Sequence, residues 1–185
     1  MTIERTLVLL KPDAVKKRLE DEIVNRYKNA GLRVVARKDV LPDRTIADKH
    51  YAATDEQILG MGSKTLAAAK ENGKYEEVLE LFGTDDPRRI GEMLREWSLQ
   101  FITSGEVVAM ILEGEGAVAL VRKLTGFTDP KRADKGTIRG DLSSDSIMTA
   151  NLEKRAVSNL VHASGTVEEA EREILLWFGP AGLKK

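Results

Sequence analysis

Four short apolar segments, separated by stretches with helical periodicity, constrain the fold of this chain more than any other feature. The segments are residues 5–10, 32–40, 106–113 and 156–161. Each has the length of a strand and is bounded by helical or turn-rich sequence. The resulting order is strand, helix, strand, several helices, strand, helix, loop, strand, helix. This order predicts one small sheet of the split βαβ type, covered by helices on one face.

Apolar residues recur at three- and four-residue intervals in four regions: residues 12–31, 52–102, 116–124 and 166–178. We expect each region to be helical, and the second to hold several helices. Thr166 and Glu169 match a capping box at the start of the last helix. Residues 126–155 are rich in Gly, Pro, Asp and Ser, and therefore predict a long loop with one short helix near Ile147.

Composition narrows the chemistry. The 185 residues are 42% hydrophobic and 32% charged, which suits one packed domain. The net charge of -1 argues against a nucleic-acid binder, and the absence of cysteine excludes disulfides, thiolate metal sites and thiol catalysis. No apolar run approaches the roughly 20 residues that span a bilayer, and the N-terminus has no signal-peptide core. We therefore expect no membrane partner, no sequence-specific nucleic acid and a cytoplasmic location.

Two glycine-rich segments look like nucleotide-binding loops but lack the required context. Residues 60–65 approach a phosphate loop, yet Ser63 stands where that loop needs glycine before its lysine. We interpret this segment as a helix start capped by Ser63. Residues 114–119 fit the pattern G-x-G-x-x-A, but no second βαβ half follows to bind a dinucleotide. We interpret them as a turn from a strand into a helix.

His162 is the strongest candidate for a reacting group. It ends the fourth apolar segment, four residues before Thr166 opens a helix. A helix N-terminus attracts phosphate oxygens and disfavours a protonated imidazole, and the neutral imidazole is the nucleophilic form. Glu173 lies two turns into that helix, where its carboxylate can fix the tautomer of the ring. The other histidine, His50, is interpreted as a surface or packing residue.

A group of basic residues accompanies His162 in the sequence: Arg122, Lys123, Lys131, Arg132, Lys135 and Arg139. Most can be solvated surface charges. Arg139, however, lies between two glycines in a tight segment, and arginine suits bidentate phosphate binding. Together with His162, it predicts phosphoryl transfer through a phosphohistidine.

Four blocks in sequence order resemble the nucleoside diphosphate kinase family. They are residues 4–15, 104–118 and 124–141, and then NLVHAS at 159–164 with the helix that follows at 168–178. The resemblance covers nearly the whole chain. It implies an α+β fold with a ferredoxin-like four-stranded antiparallel sheet and helices on one face, formed by a single domain over residues 1–185.

The resemblance also implies an activity. The chain would transfer the γ-phosphate of a nucleoside triphosphate, typically ATP, to a nucleoside diphosphate by a ping-pong mechanism through a phosphohistidine at His162. Lys11 and Glu173 would complete the catalytic set, and Ser164 would support Glu173. The residues that would hold the nucleotide are Lys11, Tyr51, Leu94, Arg122, Thr128, Arg139 and Asn159. Mg²⁺ would arrive with the nucleotide and take no ligand from the protein. The subunits would form a hexamer or a tetramer.

Two insertions depart from the family pattern, one helical at about residues 56–98 and a smaller one at about residues 143–155. The base-stacking phenylalanine of the family falls in the first insertion. Leu94 occupies its counted position and Trp97 lies one turn away, so the sequence leaves both open. A catalytically silent family member, acting as a nucleotide-binding or interaction scaffold, is the alternative function. A ferredoxin-like RNA binder would need aromatic residues on its strands, which carry almost none.

Overall fold

The computed structural model describes residues 2–184. Its strands are β1 (Ile3–Leu10), β2 (Arg33–Val40), β3 (Val107–Glu115) and β4 (Val161–Ala163). Its helices are α1 (Pro12–Lys16), α2 (Glu20–Asn29), α3 (Arg44–His50), α4 (Asp55–Glu71), α5 (Tyr75–Phe82), α6 (Pro87–Ile102), α7 (Ala117–Thr125), α8 (Ile138–Leu142), α9 (Ile147–Leu152) and α10 (Val167–Phe178). Over the described range, none of them is both long enough and apolar enough to cross a bilayer.

The strands form one sheet in the order β2-β3-β1-β4. Every neighbouring pair is antiparallel, and the central strands β1 and β3 pair from Ile3 opposite Glu115 to Leu10 opposite Val108. Each helical crossover, between β1 and β2 and between β3 and β4, therefore skips one strand. The predicted ferredoxin-like four-stranded antiparallel sheet is confirmed.

Helices cover both faces of the sheet, which corrects the expectation of helices on one face. The crossover helices α2 and α7 pack on the face that carries Val8 and Leu10. Helices α3, α6 and α10 pack on the opposite face, against Leu7 and Leu9. All four of these β1 side chains are fully buried. A strand that is buried on both faces has a continuous apolar sequence, and the sequence of β1 shows this pattern.

The first predicted helix is broken into α1 and α2. The break lies at Arg18, whose φ of 56° is left-handed, and the Leu19 N–H donates to the Ala14 carbonyl across it. Apolar periodicity does not reveal this break, because both helices pack on the same core cluster. The region predicted as a long loop contains α9 near Ile147, as expected, and also α8, which was not predicted.

The fourth strand was predicted at residues 156–161, and this placement is wrong. β4 covers only Val161–Ala163, so His162 lies at its centre rather than after its end. The backbone leaves the extended conformation at Leu160, whose φ is 67°. The Asp13 carboxylate accepts the Leu160 N–H at 3.0 Å, and the Lys11 N–H donates to the Leu160 carbonyl at 2.8 Å. This turn is therefore fixed by contacts with the start of α1, which a local apolar pattern does not show.

The starts of helices α4, α7 and α10 agree only in part with the sequence predictions. Helix α4 begins at Asp55 with a complete capping box from Thr54 and Gln57, so the predicted start at Ser63 is wrong. The strand-to-helix turn before α7 is confirmed, with Gly116 left-handed at φ 54°. The Thr166 hydroxyl caps α10 as expected, but Glu169 is bonded to the Gly165 N–H rather than back to Thr166.

Two glycines allow α4 and α6 to cross closely. A Cβ built at Gly62 would overlap the Pro87 carbonyl, and a Cβ at Gly91 would overlap the Ile58 carbonyl. We expect Gly62→Ala to lower the free energy of unfolding by about 1–3 kcal/mol, because backbone must move to admit the methyl group. Urea titration measures this change.

Gly60 provides the matched control in the same helix. A Cβ at Gly60 meets nothing within 4 Å. Gly60→Ala should therefore be neutral or stabilising by up to about 1 kcal/mol, through helix propensity alone. Equal stabilities for the two variants would contradict the close crossing of α4 and α6.

Candidate active site

The register of β4 places His162 on the sheet face covered by α3 and α10. His162 lies opposite Leu9, while its neighbours Val161 and Ala163 pack into the core on the other face. Because side chains alternate along a strand, the ring points towards Glu173 of α10 and His50 of α3.

The His162 ring is held by a carboxylate on one side. Its Nε2 lies 3.0 and 2.9 Å from the two oxygens of Glu173, and the Ser164 hydroxyl donates to Glu173 Oε2 at 2.7 Å. An ionised carboxylate only accepts, so Nε2 carries the hydrogen and the lone pair lies on Nδ1. No hydrogen bond from residues 2–184 engages that Nδ1. The ring is therefore fixed with its nucleophilic nitrogen free.

The imidazole of His162 is neutral near physiological pH. Burial lowers its pKa to about 3, and the nearby Lys11, Arg139 and Arg122 cations add to the effect. The sequence predicted a neutral ring from the nearby helix N-terminus; in the structure, burial is the first cause of neutrality. Burial also raises the pKa of Glu173, against which the Ser164 hydrogen bond acts.

His50 is a site residue that sequence reasoning missed. Its ring is buried and packs edge-to-face on His162, with 4.3 Å between the ring centroids. The Trp177 Nε1–H donates to His50 Nδ1 at 3.3 Å, so the proton of His50 lies on Nε2. Burial lowers the pKa of His50 well below its usual value. The packing interpretation was correct, but the sequence offers no signal that the packing partner is His162.

A cavity of about 360 Å³ opens beside His162. Its walls include six of the seven residues predicted to hold the nucleotide: Lys11, Tyr51, Arg122, Thr128, Arg139 and Asn159. Phe127 and Glu169 also line it and were not predicted to hold the nucleotide. The cavity joins a neutral nucleophile to three cationic side chains, an arrangement that suits a phosphate chain.

Lys11 and Asn159 are joined directly. Lys11 Nζ donates to Asn159 Oδ1 at 2.7 Å, and Asn159 Nδ2 donates to the Thr128 carbonyl at 2.9 Å. Burial, reinforced by Arg139, lowers the pKa of Lys11 to about 8. Lys11 occupies this position because it follows β1 directly and Pro12 starts α1 immediately after it.

Arg139 also forms hydrogen bonds to the backbone that the sequence did not predict. Its guanidinium donates to the carbonyls of Asn159, Gly126 and Val161 at 3.0, 2.9 and 2.6 Å. Three of its five N–H donors are therefore used by the chain, and two remain. Burial lowers the pKa of Arg139 to about 10. Arg139 thus ties the end of α7 to β4 on both sides of the Leu160 turn.

A second cavity, of about 400 Å³, continues from the first. The two cavities share Lys11, Tyr51, Thr128 and Asn159 in their walls. Leu94, the seventh nucleotide residue, lines the second cavity together with Trp97. One face of the Trp97 ring is stacked on Phe82, with 5.4 Å between centroids. Both residues left open by the sequence therefore lie in the second cavity rather than beside His162.

Comparison with known proteins identifies the family. The family model described as nucleoside diphosphate kinase matches residues 4–59 and 91–183. The nucleoside diphosphate kinase of Pyrobaculum aerophilum is 44% identical over 178 residues, covering 96% of each chain. That of Cutibacterium acnes is 43% identical over 175 residues, covering 95% of this chain and 94% of the relative.

Solved structures agree with this result. An NDP kinase from Pyrobaculum aerophilum superimposes with a TM-score of 0.93 at 43% identity, covering both chains completely. A nucleoside diphosphate kinase from Borrelia burgdorferi, a transition-state mimic with bound vanadate and ADP, gives a TM-score of 0.76 at 30% identity, covering 99% of this chain and 91% of that one. The alternative of a scaffold without turnover gains no support. The chain belongs to the nucleoside diphosphate kinase family and is an enzyme with that kinase activity.

Proposed function

We propose that His162 carries the phosphate between the two nucleotides. Its Nδ1 lone pair attacks the γ-phosphorus of a nucleoside triphosphate, the bond to the β,γ-bridging oxygen breaks, and the nucleoside diphosphate leaves with that oxygen. A terminal oxygen of a second nucleoside diphosphate then attacks the phosphohistidine and regenerates the neutral ring. The observation that carries this proposal is the free Nδ1 of a ring whose Nε2 is held by Glu173 beside a cationic cavity.

The cations of the first cavity would stabilise the transferring phosphoryl group. Lys11, Arg122 and the two unused N–H donors of Arg139 would neutralise charge on the phosphate oxygens. Asn159 would orient Lys11 through their hydrogen bond, and Thr128 and Tyr51 would hold the phosphates and ribose. Leu94 would contact the base in the second cavity.

The donor set of the cavity fits a nucleotide that already carries Mg²⁺. Among residues 2–184, Glu169 is the single carboxylate in the wall of the first cavity. Within the described chain, the only group of three potential metal ligands is His50, His162 and Glu173, which is rich in nitrogen rather than the oxygen that Mg²⁺ prefers. Mg²⁺ bound to the nucleotide would neutralise part of the phosphate charge.

Labelling of the enzyme tests this mechanism. ATP labelled at the γ-position, given without an acceptor, should leave one acid-labile and base-stable phosphate on each subunit. Adding GDP should then remove the label and form labelled GTP. A wild-type enzyme that phosphorylates GDP from ATP but never carries the label would contradict a ping-pong mechanism.

The pH profile should differ from that of an ordinary histidine nucleophile. Because the pKa of His162 is lowered to about 3, we expect the rate of phosphohistidine formation to stay level as pH falls from 7.5 to about 5.5, where a free imidazole with a pKa near 6.5 loses most of its neutral form. The rate should decline as pH rises through about 8, where Lys11 loses its proton. Single-turnover labelling across this range measures both limbs.

Acid should also destabilise the fold in a defined window. With its folded pKa at about 3, His162 binds more protons in the unfolded chain than in the folded one between about pH 3 and 6.5. The contribution of His162 to stability therefore rises with pH in that window and is lost as acid is added. In the labelling experiment described above, a rate that drops with an apparent pKa near 6.5, without unfolding, would contradict the buried, neutral ring.

Assembly, domain division and location belong to the same proposal. We expect a homo-oligomer, either a hexamer or a tetramer, in the cytoplasm. The single domain would carry its helical insertion at about residues 56–98 and its smaller insertion at about residues 143–155. The family model leaves residues 60–90 unmatched, which supports the first insertion. A mass measurement in solution tests the assembly.

A further inference from the structure

Asn151, on helix α9, is a buried residue whose side-chain amide has no partner within residues 2–184. The residue is 6% exposed, and it lines the second cavity. Its side-chain amide forms no hydrogen bond with any group in residues 2–184, and neither of its polar atoms is sealed from the cavity. A carboxamide that faces the cavity and is used by no other group of the described chain is available to a ligand bound there.

The neighbouring polar side chains around α9 do form hydrogen bonds or ion pairs within the chain. The Ser146 hydroxyl caps the helix and bonds to the Thr149 hydroxyl at 2.9 Å. Arg155 also lines the second cavity, but its guanidinium is paired with Asp145 at 2.6 and 3.0 Å and with Glu153 at 2.7 Å. The Asn151 amide is thus held by a fixed helix. Unlike Ser146, Thr149 and Arg155 around it, it forms no hydrogen bond within residues 2–184.

The second cavity suits a flat, partly apolar ring. Its walls include Leu94, Trp97, Phe101, Ile147 and Val157. It opens towards the first cavity through Lys11, Tyr51, Thr128 and Asn159, the side chains proposed to hold phosphates and ribose. A nucleotide with its phosphates beside His162 would therefore direct its base towards α9.

We propose that the Asn151 carboxamide hydrogen-bonds to the polar edge of the nucleobase, so that the smaller insertion contributes a residue to substrate binding. This inference rests on the proposed function. A carboxamide offers one acceptor and two donors and can rotate to present them in either order. It matches the adjacent donor and acceptor that each common nucleobase presents. Asn151 therefore supports binding of several bases rather than selecting one.

Replacing Asn151 with leucine tests the contact. The phosphorylated enzyme is prepared with ATP, freed of nucleotide, and mixed with ADP, GDP, CDP or UDP as acceptor. Asn151→Leu should lower the kcat/KM of each acceptor about three- to tenfold, the range expected for losing a neutral hydrogen bond. Ribose 5-diphosphate, which has no base, should react equally well with both enzymes. Leu152→Asn, an exposed change on the same helix, is the matched control.

Asn151→Asp provides a second, directional test. A carboxylate only accepts hydrogen bonds, so it should favour guanine, whose N1 and N2 groups are adjacent donors. It should disfavour uracil, whose single N–H lies between two carbonyl oxygens. The preference for GDP over UDP should rise at least about fivefold relative to the wild type.

Three outcomes would overturn the inference. Equal losses for ribose 5-diphosphate and the four nucleotides would indicate general distortion of the site. Unchanged rates in Asn151→Leu would exclude a base contact, and an unchanged GDP to UDP ratio in Asn151→Asp would exclude reading of the base edge. A wild type that never accepts phosphate from ATP is a separate result, because it overturns the proposed function as well.

Discussion

Replacing His162 with alanine is expected to lower the rate of nucleoside diphosphate phosphorylation by about 10⁴-fold or more. The variant loses the nitrogen that would accept the phosphoryl group, while the cationic cavity keeps binding nucleotide. A coupled assay of GTP formation from ATP and GDP measures the loss. Urea titration of the variant checks that it remains folded, because the His162 side chain is largely buried against Glu173 in the wall of the cavity.

The remaining histidine makes this experiment specific. The chain has two histidines, and His50 lies against the His162 ring. If His50 could take over the phosphate, His162→Ala would still show acid-labile label. We expect none, because His50 Nδ1 accepts the Trp177 hydrogen bond and Nε2 is sealed from solvent. Retention of more than about one hundredth of the wild-type rate would contradict a nucleophilic role for His162.

Glu173→Gln is expected to lower the labelling rate by about 10²–10⁴-fold, although the side chain keeps its shape. The Ser164 hydroxyl would donate to the amide oxygen and leave the NH₂ group facing His162 Nε2. Nε2 would then have to accept, and the ring proton would move to Nδ1. The nucleophilic lone pair would face the new amide at position 173 instead of the nucleotide.

Glu171→Gln is the matched control, because Glu171 lies on the exposed side of the same helix. It should label at the wild-type rate. The ¹⁵N chemical shifts of the His162 ring report the tautomer directly, and they should show the proton on Nε2 in the wild type and on Nδ1 in Glu173→Gln. A Glu173→Gln enzyme with the wild-type labelling rate would contradict tautomer control by Glu173.

The central sheet could be predicted from the sequence because its strands obey a local rule. β1 and β3 are buried on both faces, so their sequences contain unbroken apolar runs. β4 breaks that rule. It has three residues, and its start is set by Asp13 and Lys11, which bind the Leu160 backbone from about 150 positions earlier in the chain. Contacts of this kind are not visible in a local pattern.

The candidate site likewise contains residues that local spacing predicted and residues that only the folded chain brings together. His162 and Glu173 stand on one strand–helix unit, so their spacing alone suggested that they could meet. His50 reaches them from a helix more than a hundred positions away, and Asn151 reaches the second cavity from α9, in a region that the sequence predicted mostly as loop. Arg139 was identified for its phosphate chemistry, but its bonds to three carbonyls depend on the folded backbone.

The most direct measurement is the chemical identity of the phosphorylated nitrogen. Enzyme labelled with ¹⁵N in its histidine rings and phosphorylated by ATP should show one phosphorus–nitrogen coupling, assigned to Nδ1 of residue 162. Phosphate on Nε2, on His50 or on an oxygen atom would contradict the account, because the hydrogen bond from His162 Nε2 to Glu173 leaves only Nδ1 open to the nucleotide.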